Sequence, residues 1–181
     1  MTRAAALVLA LGLGLLGRGD AATIAGADAS AAPAFAEVRW PFLLDPWGPG
    51  RAYRCPAAAC AGEVAVYVRP KSGFCNCYNG VDDDEIDRIG DVDLHSPNFV
   101  PLAPGRPTKV GDMTGRRRAF RVAAGAAPRQ VVAIVVATSC NALVATIVSE
   151  RDLSPAVERA VLDLLDGPPV QRFIAAASVS P

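Results

Sequence analysis

Histidine is nearly absent from this chain: His95 is the single one in 181 residues. One imidazole cannot build a multi-histidine metal site, and any Ser–His or Cys–His nucleophilic mechanism would have to run through it. Neither a G-x-S-x-G elbow nor an H-E-x-x-H helix occurs. His95 follows Val92-Asp93-Leu94 and precedes Ser96-Pro97, so it reads as an ordinary surface histidine beside a turn. An excess of charge of one sign is also missing, with 18 basic residues against 18 acidic. That balance gives no reason to expect a nucleic acid or an anionic membrane surface as partner. Lysine is scarce as well; Lys71 and Lys109 are the only two, and arginine carries the remaining cations.

The one long unbroken apolar run is at the N-terminus. Residues 4–16 are unbroken apolar and small residues behind Arg3, too short to span a bilayer and matching the core of a secretory signal. Arg18 and Asp20 end the run, and Gly19-Asp20-Ala21 and Ala25-Gly26-Ala27 both satisfy the small-x-small rule. Residues 1–27 are therefore expected to be a cleavable signal peptide, cut somewhere in 21–27, which directs the protein to the periplasm or out of the cell. The first cysteine, Cys55, lies far from that site, which argues against lipidation there. Residues 131–148 are apolar too, but Ser139 and Asn141 interrupt them, and two strands account for them better than a membrane span. No stable span is expected in the mature chain.

What remains suffices for one ordinary domain. Residues 28–37, rich in alanine and without periodicity, read as a disordered lead-in, and the domain is expected over 38–181. Trp40, Phe42, Leu44 and Trp47 are too large and apolar to be left bare, so this turn-rich segment should pack on the domain. Val64, Val66 and Val68 alternate with Ala65, Tyr67 and Arg69, the pattern of a half-buried strand. A short helix is predicted over 82–89 and an extended stretch over 91–99. A hairpin is predicted around Thr114-Gly115 and another strand pair over 129–138 and 141–150. Ser154 and Pro155 open the clearest helix, with Val157, Val161, Leu164 and Leu165 as its buried stripe and Gly167 as its stop. A final short helix is predicted over 171–177. Together these make an α+β fold: a mostly antiparallel sheet with a few helices, one of them C-terminal, braced by disulfides.

Five cysteines in an exported chain favour disulfides. They fall as Cys55-x4-Cys60, Cys75-x-Cys77 and a distant Cys140, and the odd count leaves at least one unpaired within a monomer. Spacing leaves open whether Cys55 and Cys60 bridge each other or pair with Cys75 and Cys77. A competing reading makes Cys55, Cys60, Cys75 and Cys77 a four-thiolate metal site, although ribbon sites use two C-x2-C pairs. Another makes Phe74-Cys75-Asn76-Cys77 a thiol–disulfide exchange motif. The acids that follow it, Asp82, Asp83, Asp84 and Glu85, oppose a reactive thiolate. Those acids with Asp87, Asp91 and Asp93 invite calcium, but the D-x-[DN]-x-[DN]-G loop is absent, and an acidic helix start with a solvated face explains them. Arg116, Arg117 and Arg118, with Arg106 and Lys109 near them in sequence, could contribute to an anion site, but alternation sends Arg116 and Arg118 to one side of a strand and Arg117 to the other, and a solvated hairpin end is the preferred reading. No metal or cofactor is expected.

Several blocks carry a resemblance. Trp40-Pro41-Phe42, Trp47-Gly48, Cys55-Pro56-x-x-x-Cys60, Tyr67-Val68-Arg69, Gly73-Phe74-Cys75-Asn76-Cys77, Gly80-Val81-x-Asp83-Asp84-Glu85 and Arg116-x-Arg118-Ala119 are similar to a group of uncharacterised exported alphaproteobacterial proteins. The late strands closed by a C-terminal helix are similar in topology to PsbP-like folds. The first resemblance implies export, and neither implies an activity. The expectation is a non-enzymatic binding or interaction module of unknown partner, with a thiolate protein acting through Cys75 and Cys77 as the alternative.

Overall fold

The valine alternation of Val64–Ser72 makes an interior strand of the sheet. In the computed structural model, which describes residues 32–73, 80–123, 128–138 and 141–178, it is the third of eight strands. The strands are β1 (Ala36–Val38), β2 (Arg51–Cys55), β3 (Val64–Ser72), β4 (Phe99–Pro101), β5 (Arg106–Val110), β6 (Met113–Val122), β7 (Arg129–Thr138) and β8 (Asn141–Ser149). All pairs are antiparallel, in the order β1-β2-β3-β8-β7-β6-β4, and β5 shares the outer edge of β6 with β4. The helices are α1 (Ala57–Cys60), α2 (Asp83–Ile89), α3 (Pro155–Asp166) and α4 (Pro168–Ser178). The chain is thus an α+β protein with a C-terminal helix, and Cys55 and Cys60 are joined by a disulfide across α1. Among the described residues, no helix is long and apolar enough to cross a membrane.

Both faces of the sheet are covered. On one, Val64, Val66 and Val68 of β3 and Leu143, Ala145 and Ile147 of β8 pack with Val157, Val161 and Leu165 of α3. On the other, Val135 of β7, Val144 of β8 and Phe120 and Val122 of β6 pack with Ile86 and Ile89 of α2. Burying each large aliphatic stabilises by roughly 1.5–3 kcal/mol, so both layers contribute substantially. The near-continuous Val/Ile/Ala composition of β7 and β8 follows from this double covering.

Helix α3 begins as its sequence dictates: the Ser154 hydroxyl accepts from Val157 N–H, and Pro155 takes the first turn. Gly167 ends it, but at φ −70 and ψ 151 it is extended rather than left-handed. The following Pro168 forces that conformation and then opens α4.

Three expectations need correction. The hairpin turn falls at Gly111-Asp112, not at Thr114-Gly115. Gly111 takes the left-handed φ of +55, while Gly115 lies inside β6, where a Cβ would collide with the Val135 carbonyl of β7. Residues 91–99 are not extended throughout: Asp91 is left-handed at φ 58 and starts a 3-10 turn, Val92–Leu94, ahead of β4. Finally, the end of the lead-in is structured, since Ala36–Val38 pairs with β2 and Phe35 packs against the core.

Candidate functional site

The face of β3 opposite the valines carries Tyr67, Arg69 and Lys71, in register with Thr146, Val144 and Ala142 of β8. Because that face is covered, two cations end up in the interior; Arg69 is only 3% exposed. Asp91, 6% exposed, meets both. Its Oδ2 accepts from Arg69 Nε at 2.6 Å and its Oδ1 from Arg69 Nη2 at 2.7 Å, and Lys71 Nζ lies 2.6 Å from the same Oδ1. Lys71 also donates to the Ile89 carbonyl at 2.9 Å and stands 5.3 Å from the centre of the Trp47 ring. Arg69 Nη1 reaches both oxygens of Asp45 at 2.7 Å. Burial works against the Arg69 charge, but the hydrogen bonds to Asp91 and Asp45 outweigh it and leave its pKa raised. Burial likewise pushes the Asp45 carboxyl up, and the Arg69 hydrogen bonds overcome it, leaving the group below its usual value.

Asp45 belongs to the segment over residues 39–50, which straps this face. Its Phe42 ring sits 4.9 Å from Tyr67 and 5.2 Å from His95, and Trp40 lies 5.2 Å from Phe42. The segment packs as expected through Trp40 and Phe42, but Leu44 and Trp47, also expected to pack, stay 74% and 42% exposed, and Leu43 is 91% exposed. His95 is therefore no surface histidine. It is enclosed by Phe42 and Tyr67, with Nε2 2.8 Å from the Thr146 hydroxyl. Burial, opposed by the Asp91 charge, lowers its pKa to about 4, so it is neutral near pH 7. Every charged group of this cluster is matched by a partner, and the cluster holds the strap to the sheet.

The acidic run opens α2 as expected and is a solvated face only in part, with Asp82, Asp84 and Asp93 exposed. Asp82 caps α2 by accepting from Glu85 N–H, while Asp83 and Asp87 dock on β6 through Arg116 and Arg118. The Gly105 N–H bond to Asp83, with Arg116 beside it, holds that carboxyl below its usual range. Arg117 points to the opposite face, as alternation requires, and reaches Glu158 of α3 at 3.0 Å. Of the cysteines, Cys55 and Cys60 are bonded to each other, so neither sulfur is a thiolate. Cys75, Cys77 and Cys140 lie outside the described residues.

An open groove runs along the α3 side of β6 and β7. It encloses about 460 Å³ and is lined by Arg106, Arg117, Ala119, Gln130, Val132 and Asp152, among others. Arg106 and Arg117 are register partners across β5 and β6, so their side chains leave the same face side by side. Ala119 and Val132, also register partners, form a small apolar floor. Gln130 and Asp152 close the far end, where they also border a second, shallower pocket of about 150 Å³. The Gln130 Oε1 atom is buried without a hydrogen-bond partner. This groove is within the size range of small-ligand sites, with Arg106, Arg117 and the Glu158 carboxylate at one end and Gln130 and Asp152 at the other.

Sequence reasoning missed the interior cluster, and it set aside an anion site at Arg106 and Arg116–Arg118 in favour of a solvated hairpin end. The interior cluster had a signal: if β7 and β8 are apolar on both faces, the polar face of β3 between them and β2 must be covered too. The Arg106–Arg117 pair required the correct turn, because a hairpin centred on Thr114-Gly115 shifts their register. No protein-family model matches this chain, and no curated protein matches it in sequence.

Proposed function

We propose that the protein is an exported, non-enzymatic binding module whose ligand lies in the groove along β6 and β7 and carries an anionic group. The observation that carries this reading is the Arg106–Arg117 pair at the groove's open end. Two guanidiniums side by side repel each other, and Glu158 engages only one of them. A planar anion received by both forks relieves the repulsion and gains charge-assisted hydrogen bonds. Export rests on the N-terminal signal pattern, on the resemblance to exported proteins and on the Cys55–Cys60 bond, which belongs to an oxidising compartment.

Calorimetric titration with inorganic phosphate, citrate and galacturonate tests the reading. Saturable one-to-one binding of at least one of them is expected, lost in an Arg106→Ala/Arg117→Ala double variant that still unfolds cooperatively. Absence of saturable binding to all three, or binding that survives the double variant, overturns it.

A further inference from the structure

The strap is fastened in a manner unlike the rest of the fold. Over residues 41–49 the one hydrogen bond between main-chain groups, among the described residues, is internal, from Gly48 N–H to the Asp45 carbonyl at 2.9 Å. The contacts that hold it to the sheet run through side chains. Asp45 and the Gly48 carbonyl accept from Arg69, Trp40 and Phe42 lie against Tyr67, Phe42 meets His95, and Trp47 stands over Lys71. The strap can therefore lift without breaking a strand pair.

His95 lies in the middle of that contact. Its Nε2 pairs with the Thr146 hydroxyl, while Nδ1 has no hydrogen bond among the described residues. A neutral imidazole has one N–H and an imidazolium has two, so protonation adds a donor and a full charge where the protein offers one partner. The titratable groups of the elements around it are Tyr67, Arg69 and Lys71 of β3, Asp45 of the strap, and Asp91 and Asp93 of its own turn. Thr146 is the polar contact from β8. Asp91 alone favours the proton, and Arg69 and Lys71 already share it.

We propose that residues 39–50 form an acid-released cover: protonation of His95 lifts the strap off β3 and β8 while the sheet stays folded, uncovering Tyr67, Arg69 and Lys71. The inference is independent of the groove. Under the closed strap burial holds the histidine at about 4, and once the strap lifts the ring meets water and titrates near 6.5. The open form thus takes the proton first. Between those values its ratio to the closed form grows about tenfold per pH unit, to about 300-fold in all. Global unfolding gains the same factor, but opening breaks fewer contacts and so comes first. Asp45 adds to release only at lower pH, because its carboxyl is held below the usual value in the closed form.

Both tryptophans of the chain, Trp40 and Trp47, belong to the strap, so fluorescence reads it separately from the sheet. In a Trp47→Phe background Trp40 is the sole reporter, and its Nε1 is buried in the closed form. Acrylamide quenching of Trp40 and far-UV circular dichroism are followed together from about pH 7 to about pH 4. Quenching is expected to rise reversibly over that range at constant dichroism. His95→Gln should keep it flat. Asp45→Asn, which loosens the fastening and leaves His95 in place, should move the midpoint of release up by about half to one pH unit. Quenching and dichroism that change together, or quenching that stays flat in the parent, overturn the inference. So does release at the same pH in His95→Gln. If His95→Gln does not fold, Asp45→Asn decides: a midpoint that does not move upward overturns the inference.

Discussion

The two faces of the sheet treat charge in opposite ways. Under the strap, Arg69, Lys71 and Asp91 are buried and, with the partly exposed Asp45, matched cation to carboxylate within 2.7 Å. Along β6 and β7 on the α3 side, Arg106 has no ion pair among the described residues, Arg117 has one, and Gln130 has a buried oxygen with no partner. A saturated cluster has nothing left to offer a ligand, and its members serve to fix the segment that covers them. An unsaturated groove keeps interactions in reserve. Clusters of charge thus mark a candidate site only when the partners have been counted, because density of ionisable groups alone would have pointed to the wrong face.

Removing the hub of the closed cluster should give the largest effect. Asp91→Ala leaves Arg69 and Lys71 buried without their shared carboxylate, and a broken buried pair costs about 3–5 kcal/mol. Urea denaturation of Asp91→Ala and Asp91→Asn separates the two roles of this residue. Asparagine tolerates the left-handed backbone of position 91 but carries no charge, so both variants should lose stability to a similar degree. An Asp91→Asn protein as stable as wild type would mean that the backbone conformation, not the charge, is what matters there.

Acidification should give the next largest effect, and its sign follows from His95. The folded protein binds the histidine proton only near pH 4, whereas the unfolded chain binds it near 6.5. Between those values the unfolded state holds more protons, so stability is complete above pH 6.5 and falls as pH drops toward 4. The full loss is about 3 kcal/mol. Asp45 and Asp83, whose carboxyls are lowered in the fold, hold their contributions above their unfolded values and lose them as pH falls further. Equilibrium unfolding at pH 7 and pH 4.5 checks this, and His95→Gln should flatten the profile over that range. An unchanged profile in that variant would place the acid sensitivity elsewhere.

Much of the fold was legible because the deciding signals are local. Ser154-Pro155 fixes the start of α3, Val64, Val66 and Val68 fix the inner face of β3, and residues 129–138 and 141–149 divide where the apolar run is interrupted. The β5–β6 turn was misread because two glycines compete for it. Gly111 is used for its left-handed φ and Gly115 for its missing Cβ beneath β7, and sequence alone does not separate those uses. His95 was misread because the groups enclosing it, Phe42 and Tyr67, come from distant positions in the chain. The groove was illegible for a related reason: it is assembled from β5, β6, β7 and the segment leading into α3, and no two of its ends are neighbours in sequence.

The central contrast, a closed cluster that holds and an open groove that binds, is tested most directly by amide NMR during a galacturonate titration. Shifts are expected at Arg106, Arg117, Ala119, Gln130, Val132 and Asp152, saturating together, while Arg69, Lys71 and Asp91 stay still. Arg106→Ala should remove the shifts while changing stability by less than about 0.5 kcal/mol, as for a surface substitution. Shifts centred on Arg69, Lys71 and Asp91, with the groove residues unmoved, would contradict the account.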